Sequence, residues 1–419
     1  MLFWLLSYFY LLLPFSFALN PTELIDLPVV RILVFGIFFL FLAQALLKKS
    51  VFVNTSPSSL ALLAWFLWAA LSFLWSINPD WSYRKIFFLF NFLLLFLVLL
   101  GQQEKTLKHI SRWYVFGAVS IAIVAFFQSL SQLFIDPGAV LRFWTKTVLP
   151  FFLGNNFSSA VAAYPSLLVN IMGETYLRAT GFFPDPHIFS YYVAMAVPLS
   201  IVYWKKGGFL SWPHLMTALL LVSFLLSFSR GGYVAAVFSF FWFLVLSFFF
   251  YKKQKLALLM IIAGFFLVGI VFSPVGARFI SSFVSGDGSR SERLELISQA
   301  TEAIKERPFL GVGLGNYPLW VKPEAESREP IYVHNIYLDI AVELGLVGLG
   351  FFLMGLLGAL LVSLRKWLLY KDSYYLAIHI ALIYFMGHGF FEAPLFSVHI
   401  FPVFLLLLAA CFVKSDHQE

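Results

Sequence analysis

A helix that crosses a bilayer needs about 20 mostly apolar residues, and runs of that length recur along nearly the whole chain. They lie near residues 2–18, 28–47, 59–77, 84–101, 113–134, 188–204, 213–229, 231–251, 256–273, 338–363, 374–391 and 395–413, which predicts about twelve spanning helices. Only a short turn around Arg230 separates the pair within 213–251. The first run has the length of a signal peptide. It lacks a basic leading segment and a small-residue cleavage site, so it reads as a retained span. The expected fold is an all-α integral membrane domain over 1–419, with no soluble domain and no internal repeat.

Two longer stretches interrupt the apolar pattern, 135–187 and 274–337. The first carries Phe143, Trp144, Phe151 and Phe152 and is expected to lie along the membrane surface. In the second, Ser289 and Glu292 form a capping-box pattern that opens a helix, and Pro308 stops it. Leu296, Ala300, Ala303 and Ile304 recur at helical spacing on one face. Glu295, Glu302 and Glu306 take the wet face.

Composition explains what surrounds these runs. Hydrophobic residues make up 61% of the chain and charged residues 12%, with a mean hydropathy of +0.88. Soluble domains are about a quarter charged, so lipid must cover the apolar surface. The net charge of +7 then reflects topology rather than nucleic-acid binding. Lys48, Lys49, Lys105, Lys108, Arg112, Lys205, Lys206, Lys252, Lys253, Lys255, Arg365, Lys366 and Lys371 fall in alternate short loops, which are therefore cytoplasmic. Both termini share that side, and the two long loops lie on the periplasmic side of an inner membrane. Arg84 and Lys85 are the main exception. Cys411 is the only cysteine, so no disulfide forms within the chain, and no zinc-type His/Cys spacing occurs.

The chemistry-bearing residues cluster in or beside the outer loops. Arg293 is expected in the opening turn of the loop helix, where the helix dipole favours an anion rather than a cation, and Arg290 adds a second charge. It holds a phosphate through two parallel hydrogen bonds, or it is a solvated arginine paired to a loop glutamate. Arg230, in Ser229-Arg230-Gly231-Gly232, is placed in a tight outer turn that the glycines permit; it binds an anion or merely snorkels. Arg178, before Gly181 and Pro184, is a weaker candidate. His334 opens the tenth span and is a proton acceptor or a structural residue. His388 and Glu392, four apart, are ionisable groups at the end of a span and serve chemistry or tie helices together. Gly311-Val312-Gly313-Leu314-Gly315 is spaced like a nucleotide loop, but no strand precedes it, and it reads as a tight turn.

Arg293-Leu294-Glu295-Leu296, Arg307-Pro308-Phe309-Leu310-Gly311-Val312-Gly313-Leu314-Gly315-Asn316-Tyr317, His334-Asn335-Ile336-Tyr337-Leu338 and Glu343-Leu344-Gly345 together resemble the signature block of the O-antigen ligase and polymerase superfamily. The Ser229-Arg230-Gly231 turn and the stretch from Arg178 to Pro186 are similar to its other patterns. Ile297 stands where the family usually has Trp, and Pro186-His187 where it has Pro-Asn; both departures are read as touching packing. The resemblance implies a GT-C-like, metal-independent, cofactor-free glycosyltransferase that inverts the anomeric centre. It implies a glycan donor on undecaprenyl pyrophosphate, with Arg230 and Arg293 as pyrophosphate ligands and His334 as the catalytic or acceptor-orienting group. The acceptor is lipid A-core for a ligase, or another lipid-linked glycan for a polymerase. The His334-Asn335 block running into Glu343-Leu344-Gly345 looks closest to the ligase branch. A transporter or flippase of lipid-linked sugars would place its charges at mid-membrane instead. A protein-glycosylating ligase usually carries a further outer domain, whereas only Lys414 to Glu419 follow the last span here.

Overall fold

The computed structural model describes residues 1–22, 25–50, 53–163, 167–171, 173–203, 211–250, 288–325 and 331–414. Helices occupy every predicted span except 256–273, which lies outside the described residues. Among the described residues, six helices are long and apolar enough to cross a membrane: Val29–Leu47, Pro57–Leu74, Pro79–Leu100, Glu104–Ser131, Arg230–Phe250 and Ile336–Tyr370. Leu2–Phe15, Trp212–Leu226 and Ile400–Phe412 are apolar but shorter. The chain is a mostly helical, multi-pass membrane protein.

Local chemistry sets the helix starts. Pro57 and Pro79 occupy first helical positions, where their missing N–H costs nothing. Ser56 and Ser59 cap each other reciprocally, and the Asn78 side chain accepts from the Asp80 amide. At the centre stands Ile400–Phe412, a helix apolar on every face and buried along its whole length. It packs against Pro79–Leu100, Glu104–Ser131 and Ile336–Tyr370.

Two antiparallel hairpins depart from the all-α expectation: Ala18–Thr22 with Ile25–Pro28, and Leu168–Ile171 with Glu174–Leu177. Their strands are too short for a two-residue alternation to be read from sequence. The second hairpin supports a candidate residue. Val169 and Ile171 pack on Phe228, so the hairpin braces the turn that precedes Arg230.

The helix Ile336–Tyr370 is broken at Gly345, whose φ of 68° is left-handed. The signature loop fills the break. The amides of Val312 and Gly313 donate to the carbonyls of Val342 (2.8 Å) and Glu343 (2.9 Å), and the Leu346 amide donates to Pro308 (2.7 Å). The Trp68 indole caps the Leu344 carbonyl at 2.8 Å, and Trp75 caps Leu310 at 2.8 Å. Asn316 accepts from the Asn78 amide at 2.6 Å and donates to Ser82 at 2.8 Å. The glycine-rich run is therefore an interlock between the loop and three helices rather than a nucleotide cradle. A Cβ at Gly345 would overlap the Phe309 carbonyl, whereas one at Gly350 meets nothing within 4 Å. Gly345→Ala is expected to destabilise by well over ~1 kcal/mol, strain and overlap together. Gly350→Ala should match the wild type; equal melting temperatures for all three proteins in detergent would contradict the interlock.

Arg84 and Lys85 are the exception to the charge pattern. Lys85 proves to be a paired charge, with its ammonium 2.6 and 2.7 Å from the two carboxylate oxygens of buried Glu343. At the opposite end of the bundle, Lys108 pairs with Asp372 at 2.7 Å, Lys366 donates to the Val413 carbonyl, and the Asn54 side chain donates to Leu100. Lysines of the basic short loops thus gather at one end. The signature loop and the candidate site occupy the other.

Candidate functional site

The loop helix runs Gly288–Glu306, ending just before Arg307-Pro308. Ala300 and Ala303 are buried against Val312, Tyr317, Val333 and Val342, with Leu296, Ile297 and Ile304 alongside. Ile297 is thus a packing residue. Glu295, Glu302 and Glu306 are exposed. The helix already includes Gly288, so Ser289 is inside it rather than at its cap, and Arg293 stands in its second turn, not the opening one. The dipole of the first turn is therefore no explanation for Arg293. The side chain of Arg290 lies outside the described residues.

What holds Arg293 is a carboxylate. Its guanidinium donates to Glu392 Oε1 at 2.8 Å and to the Phe391 carbonyl at 3.5 Å. The other oxygen, Oε2, lies 2.9 Å from His334 Nδ1. His187 Nε2 approaches Oε1 at 3.6 Å. Glu392 is 7% exposed and sits in the turn just after the helix Ser373–His388. Burial opposes its charge, but His187, His334 and Arg293 outweigh that and hold its carboxyl well below the usual carboxylate range. It is the hub of the cluster.

His334 is held by its backbone as well as by this contact. Its φ of 55° is left-handed, an uncommon state for a residue with a Cβ. Asn335 next to it caps the broken helix, accepting from the Tyr337 and Leu338 amides at 3.0 and 3.1 Å. Strain at such a position is stored where the surroundings over-determine it, and functional sites collect such positions.

Arg178 leaves the second hairpin and is buried. Its guanidinium donates to the carbonyls of Ser227 (2.9 Å) and Phe228 (3.3 Å), so it caps the C-terminal end of Trp212–Leu226, where a cation is favoured. The reversal itself is made by Phe228, with φ 48°. Arg230 is the first residue of the next helix rather than a turn residue. The glycines after it do not make the turn. Gly231 instead admits Phe391, whose Cβ would lie 2.6 Å from a Cβ at that position. This close approach brings the 230 and 392 segments together.

Arg178, His187, Arg230, Arg293 and Glu392 line one cavity of about 50 Å³, with Gly231 at its wall. Three guanidinium groups and one carboxylate thus line it, and Glu392 pairs with Arg293. His388 is fully buried beside it, stacked on Tyr191 with ring centroids 3.8 Å apart and bonded to the Tyr384 hydroxyl at 3.0 Å. It touches Ser229 at 3.4 Å, and Ser229 in turn is 2.8 Å from His187 Nδ1. The structure thus assembles Arg178, Arg230, Arg293, His334, His388 and Glu392 at one end of the bundle. His187 joins them although it is not among the residues the sequence marks as candidates. It is more than the packing departure from Asn that the sequence suggests, because its ring enters the cavity; the only sequence signal is that departure itself. Among the described residues, no three His, Cys, Asp or Glu side chains have an arrangement that could hold a metal ion.

Planar guanidinium forks lining a partly enclosed site select for carboxylate or phosphate oxygens. A histidine whose Nδ1 faces a carboxylate presents its other nitrogen for proton transfer. Residues 215–353 match the family model described as O-antigen ligase, which includes Arg230, Arg293 and His334. No curated protein matches the chain.

Proposed function

We propose, on the premise that the chain is an O-antigen ligase-like membrane protein, as the match over 215–353 supports, that it transfers a glycan from undecaprenyl pyrophosphate to lipid A-core oligosaccharide. In this reading the site end of the bundle faces the periplasm and the lysine-rich end the cytoplasm. The fold serves as a GT-C-like scaffold, and transfer inverts the anomeric centre without a metal. The observation that carries the reading is the convergence of Arg293 and His334 on one buried carboxylate beside Arg178 and Arg230.

Each role rests on that geometry. Arg230 and Arg293 hold the pyrophosphate. As the bond between the anomeric carbon and the phosphate oxygen breaks, the bonding pair stays on that oxygen, and the fixed guanidinium charges stabilise it. The acceptor hydroxyl attacks the anomeric carbon and gives its proton to His334 Nε2. Glu392, bonded to Nδ1, holds the proton-bearing tautomer in place and stabilises the imidazolium that results. Glu392 also keeps Arg293 aimed at the cavity while no donor is bound. The apolar spans below accommodate the polyprenyl tail.

Purified enzyme given lipid-linked donor and lipid A-core should form the joined product at an undiminished rate in EDTA. Donor alone should give nothing. A ladder of longer glycans from donor alone would assign the chain to polymerases, and inhibition by EDTA that Mg²⁺ reverses would refute the metal-free mechanism.

A further inference from the structure

His187 occupies an ambiguous position. Its Nδ1 lies 2.8 Å from the Ser229 hydroxyl. Its Nε2 lies 3.5 Å from a guanidinium nitrogen of Arg178 and 3.6 Å from Glu392 Oε1. Arg178 donates to a bare nitrogen; Glu392 asks for a protonated one. The ring also lines the cavity itself. A shift in the charge of that cavity therefore decides which neighbour wins.

We infer that His187 takes up a proton from solvent when the pyrophosphate donor enters, and so adds a switchable positive charge to the fixed ones of the arginines. The inference rests on the donor site proposed above. His187 is in the first turn of Pro186–Ile201, one residue before the apolar run begins at 188. The groups that face it come from every surrounding element. Asp185 caps its own helix through the His187 amide at 2.6 Å. Arg178 comes from the hairpin exit, Ser229 from the turn, and His388 and Glu392 from the end of Ser373–His388. Arg293 comes from the loop helix, and His334 stands just before the broken helix.

Burial, with Arg178, Arg293 and His334, outweighs Glu392 and holds the imidazole of His187 down to about 3, so it is neutral at pH 7. A pyrophosphate diester brings two negative charges and engages the arginines. Both changes raise the affinity of His187 for a proton. The match is closest after transfer: cleavage of the sugar–oxygen bond leaves one further negative charge on the leaving pyrophosphate. The proton returns to solvent when that product departs, so the cycle balances.

Because the ring holds a proton in the bound state and none in the free state, donor affinity rises as pH falls, by about tenfold per unit between the two pKa values. The test is calorimetry of undecaprenyl pyrophosphate binding to detergent-purified enzyme at pH 6.5, in buffers of differing ionisation enthalpy. Wild type and His334→Gln should take up more protons per ligand bound than His187→Asn, which keeps a side chain able to bond Ser229 but cannot titrate. The ligand's own titration is common to all three proteins and cancels. Should His187→Asn fold poorly, His187→Gln takes its place in the same comparison, because the ligand's own titration cancels only between proteins. Equal proton uptake in wild type and the His187 variant would sink the inference. Failure of the wild type to bind the pyrophosphate at all would instead remove the donor site itself, and this role with it.

Discussion

Arg293→Ala should lower glycan transfer by about 10²–10³-fold, the usual loss when one fixed donor to a developing anion is removed. Arg230→Ala should fall in the same range. Lysine at either position should restore only part of the rate, because a point charge cannot make the bidentate contact. The result has a competing explanation that can be separated. Arg293 is also the counter-ion of buried Glu392, so its loss leaves a carboxylate without a principal partner. If pairing were the whole role, Arg293→Ala would bind undecaprenyl pyrophosphate as tightly as wild type does. Weakened binding in a variant with wild-type melting temperature places the defect in the donor site. Unchanged binding would show that Arg293 serves only to neutralise Glu392.

His334→Ala should abolish most transfer while leaving donor affinity within a fewfold of wild type. A positioned base contributes about 10²–10⁴-fold, and His334 does not line the cavity that the arginines share. Glu392→Gln should reproduce part of this loss, since an amide cannot stabilise the imidazolium. It should also disturb donor binding, because the same side chain aims Arg293. The two variants therefore differ in one readout. Loss of donor binding in His334→Ala as well would make His334 a pyrophosphate ligand or a brace for the loop, and not the proton acceptor.

The helices are legible because each carries its own signal, a long apolar run bounded by polar residues. Even the narrow gap inside 213–251 proves to be a real reversal at Ser227, Phe228 and Ser229. Local geometry at the site is where the pattern misleads. Arg293 stands two residues further into the helix than the capping pattern places it, and Gly231 is a contact surface rather than a hinge. Lys85 contradicts the charge rule because its partner, Glu343, is 258 residues away. The same distance in sequence hides the hub: Glu392 is visible as an ionisable residue at a helix end, but nothing local joins it to Arg293 or His187. Side chains that meet through tertiary structure leave no periodicity to read. The signature run is the converse case, conspicuous as sequence yet occupied with holding backbone carbonyls.

The break at Gly345 also fixes the height of the site. The 35-residue helix Ile336–Tyr370 would be about 52 Å long if continuous, well beyond the roughly 30 Å of bilayer hydrocarbon. From Leu346 to Tyr370 remains about 37 Å, already enough to span with modest tilt. In the proposed orientation the nine residues before the break, with His334 ahead of them, would stand above the lipid carbon, clamped to the signature loop instead of to the bilayer. If protein–protein hydrogen bonds set that altitude, a thinner or thicker membrane would change how far the proposed polyprenyl pyrophosphate donor must rise to meet the site. Bilayer thickness becomes a rate variable, and reconstitution in lipids of graded chain length would move donor affinity while leaving the cluster of Arg293, His334 and Glu392 unchanged.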